Sequence, residues 1–289
     1  MPEIVSITND RLTVEVSSLG AEMQSLVSSD GRSWLWNGDD AWWSGRSPIL
    51  FPIVGKAPGN KLTVDGRQVD MAQHGFARRN DFALVGQTQT SCAHRLTATD
   101  ATRAVYPFAF TLTLTHSLDG NALTVAAEVE NHDEKPMPFG IGFHSAFPWP
   151  LPRAEGKLHT VQLANRAEPP LARLENGLLR ADRLPSPFVE GKLEISPEMF
   201  VEDAMIFPEG TGTALTYGVE GGEALRFRFE NLPNLALWTK PGAPFLCIEP
   251  WHGTAAAIGA SDDITERPFT TILPPGEKAR FAFTVEIPV

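Results

Sequence analysis

Apolar and polar residues alternate with a period of two through most of this chain, and no other feature constrains the fold as strongly. RLTVEVSS (11–18), FAFTLTLTHSL (108–118), ALTVAAEVE (122–130), ALRFRFE (224–230) and RFAFTVEI (280–287) each put apolar side chains on one face. That is the pattern of half-buried strands, and Thr, Val and Phe fill them as strand preference favours. Asp119-Gly120 between two such runs predicts a hairpin, VDGRQV (64–69) a second tight turn and PPGEK (274–278) a third. Helical periodicity is confined to a single turn's worth at 198–207. Without long amphipathic helices, alternating β-α units are excluded, which leaves an all-β fold, a large antiparallel sandwich.

The 289 residues are 42% hydrophobic, enough for a large core, and no composition break or repeat divides them. A single domain over 1–289 is therefore the expectation. The net charge of −11, with no basic run to offset it, argues against a nucleic-acid partner. No apolar run reaches the ~18 residues of a membrane span, and MPEIVSITNDRL carries no secretory pattern. A cytoplasmic location is expected. Cys92 and Cys247 stand outside any paired motif and read as reduced, buried thiols. Oligomeric state is not legible.

Four segments break the alternation. GRSPILFPIVG (45–55) opens on Arg46, and its two prolines argue against a central strand. QHGFARRND (73–81) places His74 before a glycine, with Phe76, Arg78 and Arg79 following. FGIGFHSAFPW (139–149) sets His144 among Phe139, Phe143, Phe147 and Trp149, where an imidazolium is disfavoured. FLCIEPWHG (245–253) puts Glu249 at the end of an apolar run, beside Trp251 and His252. Carboxylates are rarely buried without a partner. Each segment alone admits an ordinary structural account: an ion pair, a histidine bonded to a backbone carbonyl, a glutamate bonded to amides. Together, one carboxylate and two imidazoles beside glycines and aromatics suit a pocket for a polar ligand with apolar faces, such as a monosaccharide.

RSPILFPIVG, QHGFAR, GFHSAF, EDAMIF and GAPFLCIEPWHG, in that order, resemble the aldose 1-epimerase (mutarotase) family, in its LacX-type bacterial branch. The resemblance spans nearly the whole chain. It implies a β-supersandwich, exchange of the α and β anomers of a free aldose, and no cofactor or metal. It also implies roles for residues: Glu249 as base, His144 as acid, His74 as a second active-site histidine, and Asp203 and Arg46 as substrate ligands. Arg78, Trp251 and Phe143 are expected at the same site. The segment around His144 departs from the Asn-His-Ser/Thr-Tyr-Phe of the galactose enzymes. With ordinary pKa values the pair predicts a pH profile with one carboxylate limb and one imidazole limb.

Three other readings of these residues remain. An anionic sugar, a hexose 6-phosphate or sulfonated hexose, would require at least two of Arg46, Lys56, Arg78 and Arg153 to converge at one end of the pocket. A non-catalytic sugar-binding sandwich would need the aromatic walls but not a glutamate with two histidines. A metal site would use His74, His144, Glu249 and His252.

Overall fold

The computed structural model describes residues 2–288. Antiparallel strands dominate. The largest sheet has nine strands, in the order Lys192–Glu194, His159–Leu163, Ala214–Val219, Ala224–Glu230, Lys278–Glu286, Ala122–Asn131, Phe110–Asp119, Ser91–Thr97 and Ala83–Gln87. Each alternating run quoted above lies within one residue or two of an observed strand. The fold is the all-β supersandwich the sequence predicts. At the Asp65-Gly66 turn both residues have positive φ, 53° and 70°, the geometry that matches hairpin twist. The PPGEK turn is also tight, Glu277 N–H donating to Pro274 O, but it hands the chain from one sheet to another.

A six-stranded sheet faces the large one. Its path is Met205–Phe207, Asn234–Trp238, Phe245–His252, Ile141–Phe143 and Ile49–Leu50, with Ser145–Pro148 also pairing onto Phe245–His252. Phe143 packs on Phe283 at 5.0 Å and Phe147 on Phe227 at 5.0 Å, so aromatic pairs stitch the two sheets together. One apolar core runs from Val5 to Ile287. A three-stranded sheet, Ile4–Thr8, Leu12–Ser17 and Met23–Ser28, adds to its edge. Pro48 and Pro52 flank the two-residue strand Ile49–Leu50, which lies at the end of its sheet, where a missing N–H costs least.

Helix is minor. One turn of 3-10 helix, Pro197–Phe200, falls where a single turn is expected. The six-residue helix Asp100–Val105 is not foreshadowed by periodicity. A capping box between Thr99 and Thr102 starts it. No helix among the described residues is long and apolar enough to cross a membrane. Cys92 and Cys247 are both buried and free.

Candidate active site

Strand Phe245–His252 is buried on both faces, and only His252 is partly open. Its alternation is therefore invisible in the sequence but present in space. Leu246 and Ile248 enter the inter-sheet core, while Phe245, Cys247 and Trp251 join apolar clusters on the opposite face. Counting by twos puts Glu249 on that opposite face.

The neighbouring strand is interrupted at the same level. Gly142 pairs with Trp251 and Ser145 with Ile248, so the gap between Ile141–Phe143 and Ser145–Pro148 faces Glu249 and Pro250. His144 occupies that gap, its N–H donating to Pro48 O at 3.1 Å. Its imidazole Nε2 lies 3.3 Å from Glu249 Oε2. The two atoms are within ion-pair reach, yet Glu249 Oε2 makes no hydrogen bond; His144 Nδ1 and Trp251 Nε1 are likewise buried without a partner. Three such atoms at one place mark a site built for something other than packing.

His74 completes the group. Its ring meets His144 edge-on at 5.7 Å. Its backbone is left-handed, φ 66°, an unusual conformation for a side-chain-bearing residue that recurs at functional sites. Gly55 and His74 are reciprocally bonded: His74 N–H donates to Gly55 O at 2.8 Å and Gly55 N–H to His74 Nδ1 at 3.0 Å.

These three side chains line a cavity of about 350 Å³, shared with Trp43, Trp238, Gln73, Arg78, Asp203, Lys240 and Trp251. Trp43 stacks on His144 at 4.8 Å, and Trp238 meets both rings edge-on at 5.5 Å. Asp203, φ 68°, stands exposed at the rim. Beneath it the buried Arg173 donates to the carbonyls of Met199, Asp203 and Ala204 at 2.7, 2.9 and 3.3 Å. Lys240 Nζ is held by Trp42 O across the entrance.

Burial sets the electrostatics. It pushes the Glu249 carboxyl well above its usual value, and Asp203 adds to that by repulsion. It lowers His144 to about 3, helped by the Arg78 charge, and lowers His74 well below the usual imidazole value. The pair at the floor thus favours a single shared proton over two separate charges.

The structure also separates residues that the sequence groups together. Phe143 faces the core, because consecutive residues of a strand point to opposite sides and its neighbour His144 takes the pocket side. Arg46 lies elsewhere too. Glu22 Oε1 captures the N–H groups of Arg46 and Ser47, and the guanidinium donates to Gln24 and packs under Gly38. His252 turns to the inner face against Phe281 at 5.4 Å and bonds Asn231 O, so it cannot join Glu249 around a metal. Among the described residues, the metal-capable trio at the site is His144, Cys247 and Glu249, ligand atoms within 4.8 Å of one another. Of the four cations considered for an anionic sugar, Arg78 lines the cavity and Lys56 lies against Gly177 at its edge, whereas Arg153 is near Asp30.

Trp43, Trp238, Gln73 and Lys240 escape sequence reasoning. Trp43 belongs to the irregular stretch after Trp36, where no periodicity assigns it a face. The adjacent Trp42-Trp43 pair in a polar setting is the signal available.

The aldose 1-epimerase family model matches residues 3–284. The chain belongs to the aldose 1-epimerase family. Protein LacX of Lactococcus lactis, in its chromosomal form, is 29% identical, covering 98% of this chain and 99% of that one. A galactose mutarotase related enzyme from Lactobacillus acidophilus superposes with a TM-score of 0.93 at 27% identity, covering 99% and 98% of the two chains. A galactose mutarotase-like protein from Lactobacillus casei gives 0.91 at 25%, covering 99% and 100%. Membership supports a mutarotase-type isomerase acting on a sugar.

Proposed function

We propose that this protein exchanges the α and β anomers of a free aldose, with Glu249 as the base and His144 as the acid. The observation that carries the reading is the buried Glu249–His144 pair, 3.3 Å apart, with Oε2 left without a donor. A sugar's anomeric hydroxyl is such a donor.

Ring opening needs the O1 proton removed while the ring oxygen gains one. From the form of the pair in which His144 holds the shared proton, Glu249 Oε2 accepts the O1 proton and His144 gives its Nε2 proton to the ring oxygen. The C1–ring-oxygen bond breaks to give the aldehyde. Rotation about C1–C2 presents the other carbonyl face, the ring closes, and both protons return. No net proton is gained or lost. The two burial shifts point the same way: a carboxyl with a raised pKa is a stronger base, and an imidazolium with a lowered pKa is a stronger acid. His74 binds an oxygen near the anomeric centre, Asp203 and Arg78 orient hydroxyls, and Trp43, Trp238 and Trp251 cover the C–H faces of the ring. The mechanism assigns no step to a metal or cofactor. We place the enzyme in the cytoplasm as a single domain, where free aldoses are its partners.

A second reading keeps the chemistry and changes the substrate. Arg78 has no carboxylate partner within ion-pair distance among the described residues, and Lys240 stands at the entrance. Both would favour a hexose bearing phosphate or sulfonate. Anomer-exchange NMR over a panel of neutral and anionic aldoses tests the two together. Faster exchange of any aldose than in buffer supports the mutarotase reading, and the ranking of the panel selects the substrate class. Exchange at the buffer rate across the panel contradicts both.

A further inference from the structure

Arg267 lies outside the cavity wall, 93% buried, at the end of the 3-10 turn Ile264–Glu266. An arginine this deep ordinarily pairs with a carboxylate. Here the guanidinium instead donates to three carbonyls: Val54 O at 2.7 Å, Thr254 O at 3.0 Å and Lys56 O at 3.3 Å. Val54 and Lys56 flank Gly55, and Thr254 belongs to the segment that leaves the Glu249 strand. A planar fork with fixed donor directions can tie three carbonyls in one arrangement, which an ammonium cannot.

What the fork ties down is the one residue that addresses His74 Nδ1. Gly55 stands at φ 69°, so close to Ala255 that a Cβ would lie 2.6 Å from its Cα. In that position its N–H donates to Nδ1, as described above. A neutral imidazole that accepts at Nδ1 must carry its proton on Nε2. Nε2 points into the cavity, 3.2 Å from the Gln73 side-chain amide, whose oxygen and nitrogen exchange by a half-turn.

We propose that Arg267 is a positioning residue that fixes His74 as the neutral Nε2–H tautomer, making it an obligate hydrogen-bond donor to the substrate. Charge supports the geometry. The cationic groups around His74 are Arg78, Arg79 and Arg267, with His144 beside them, and all disfavour a second proton on its ring. His74 then donates without titrating. The consequence for turnover rests on the mutarotase reading, but the tautomer does not.

Long-range proton–nitrogen NMR of the imidazoles, with His74 assigned by its loss in His74→Gln, reads this directly. The wild-type protein should show His74 as the Nε2–H tautomer, without titration between about pH 5 and 8. In Arg267→Met an Nδ1–H population should appear. If anomer exchange is catalysed, kcat should fall about ten- to a hundred-fold with KM less affected, the range found for the hydrogen-bond partners of metal-ligating imidazoles. Arg267→Lys keeps the charge but not the fork and should show mixed tautomers with a smaller loss. If Arg267→Met fails to fold, Arg267→Lys carries the comparison. An Nδ1–H tautomer in the wild-type protein overturns the proposal outright. A folded Arg267 variant whose His74 spectrum matches wild type also overturns it, whatever its activity. Because the spectrum is read without turnover, absence of anomer exchange would contradict the proposed function and leave this test standing.

Discussion

At the residue scale, the behaviour of the site turns on one buried contact. Ordinary values would put the Glu249 limb near pH 4.3 and the His144 limb near 6.5. Burial moves the two values past each other, His144 down and Glu249 up. The singly protonated pair persists from the lowered His144 value, about 3, up to the raised value of Glu249. The profile of kcat/KM should therefore fall on the acid side only near the lowered His144 value, about 3, and on the alkaline side only above the raised value of Glu249. A stopped-flow or NMR pH series checks this, and an acid limb at the ordinary carboxylate value of about 4.3 would count against the buried pair. Glu249 and His144 themselves were legible in the sequence, since each is a polar residue stranded among apolar ones. Arg173 and Arg267 were not. They bond backbone carbonyls, and nothing in the sequence around them says which carbonyls will be near.

At the scale of elements, strand patterning was legible wherever one face meets solvent or a polar layer, as in 110–119 and 122–131. It was not legible in Phe245–His252, which is buried on both sides, so the direction of Glu249 had to come from the fold. The same blindness misplaced Phe143: an aromatic beside a site histidine looks like a wall, yet strand geometry turns it away. Arg46 was misplaced because a distant carboxylate, Glu22, fixes its backbone. Between elements, Gly55 makes a close approach to Ala255 beside the site. Gly55→Ala adds a Cβ 2.6 Å from the Ala255 backbone at φ 69°, where an L side chain is strained. The expected cost is about 1–3 kcal/mol of stability, together with displacement of His74. Thermal melting should register the first and anomer exchange the second. Unchanged melting and unchanged turnover would show that the joint is looser than its geometry implies.

At the scale of the whole molecule, the fold buries five histidines whose pKa values are all lowered by desolvation: His74, His94, His116, His144 and His159. For a group depressed in the folded state, the stabilising contribution is full above the unfolded value of about 6.5 and is lost as pH falls toward the folded value. For His116 and His144 that value is about 3. Glu249 acts with the opposite sign. Raised in the fold, it favours the folded state at low pH and costs stability as pH rises through the carboxylate range. Five against one leaves the histidines ahead. Each proton taken up preferentially by the unfolded chain costs about 1.4 kcal/mol per pH unit. The midpoint of thermal unfolding should drop steadily between pH 6.5 and 4.5, and a flat midpoint across that range would mean the buried histidines do not stay neutral. Fold class was legible at this scale because strand alternation and the scarcity of helix leave few architectures. The cavity was not, because it is assembled from segments that touch only after the sheets have closed.

The most direct measurement is polarimetry on a freshly dissolved pure anomer of the fastest substrate in the panel, comparing the wild-type protein with Glu249→Gln. The substitution keeps the shape and removes the proposed base. The wild-type protein should collapse the optical rotation faster than buffer. The variant should melt as a folded protein with the rate enhancement reduced by about 10²- to 10⁴-fold. A folded Glu249→Gln protein that retained full activity would contradict the assignment of Glu249 as the proton acceptor, and with it the chemistry proposed for the buried pair.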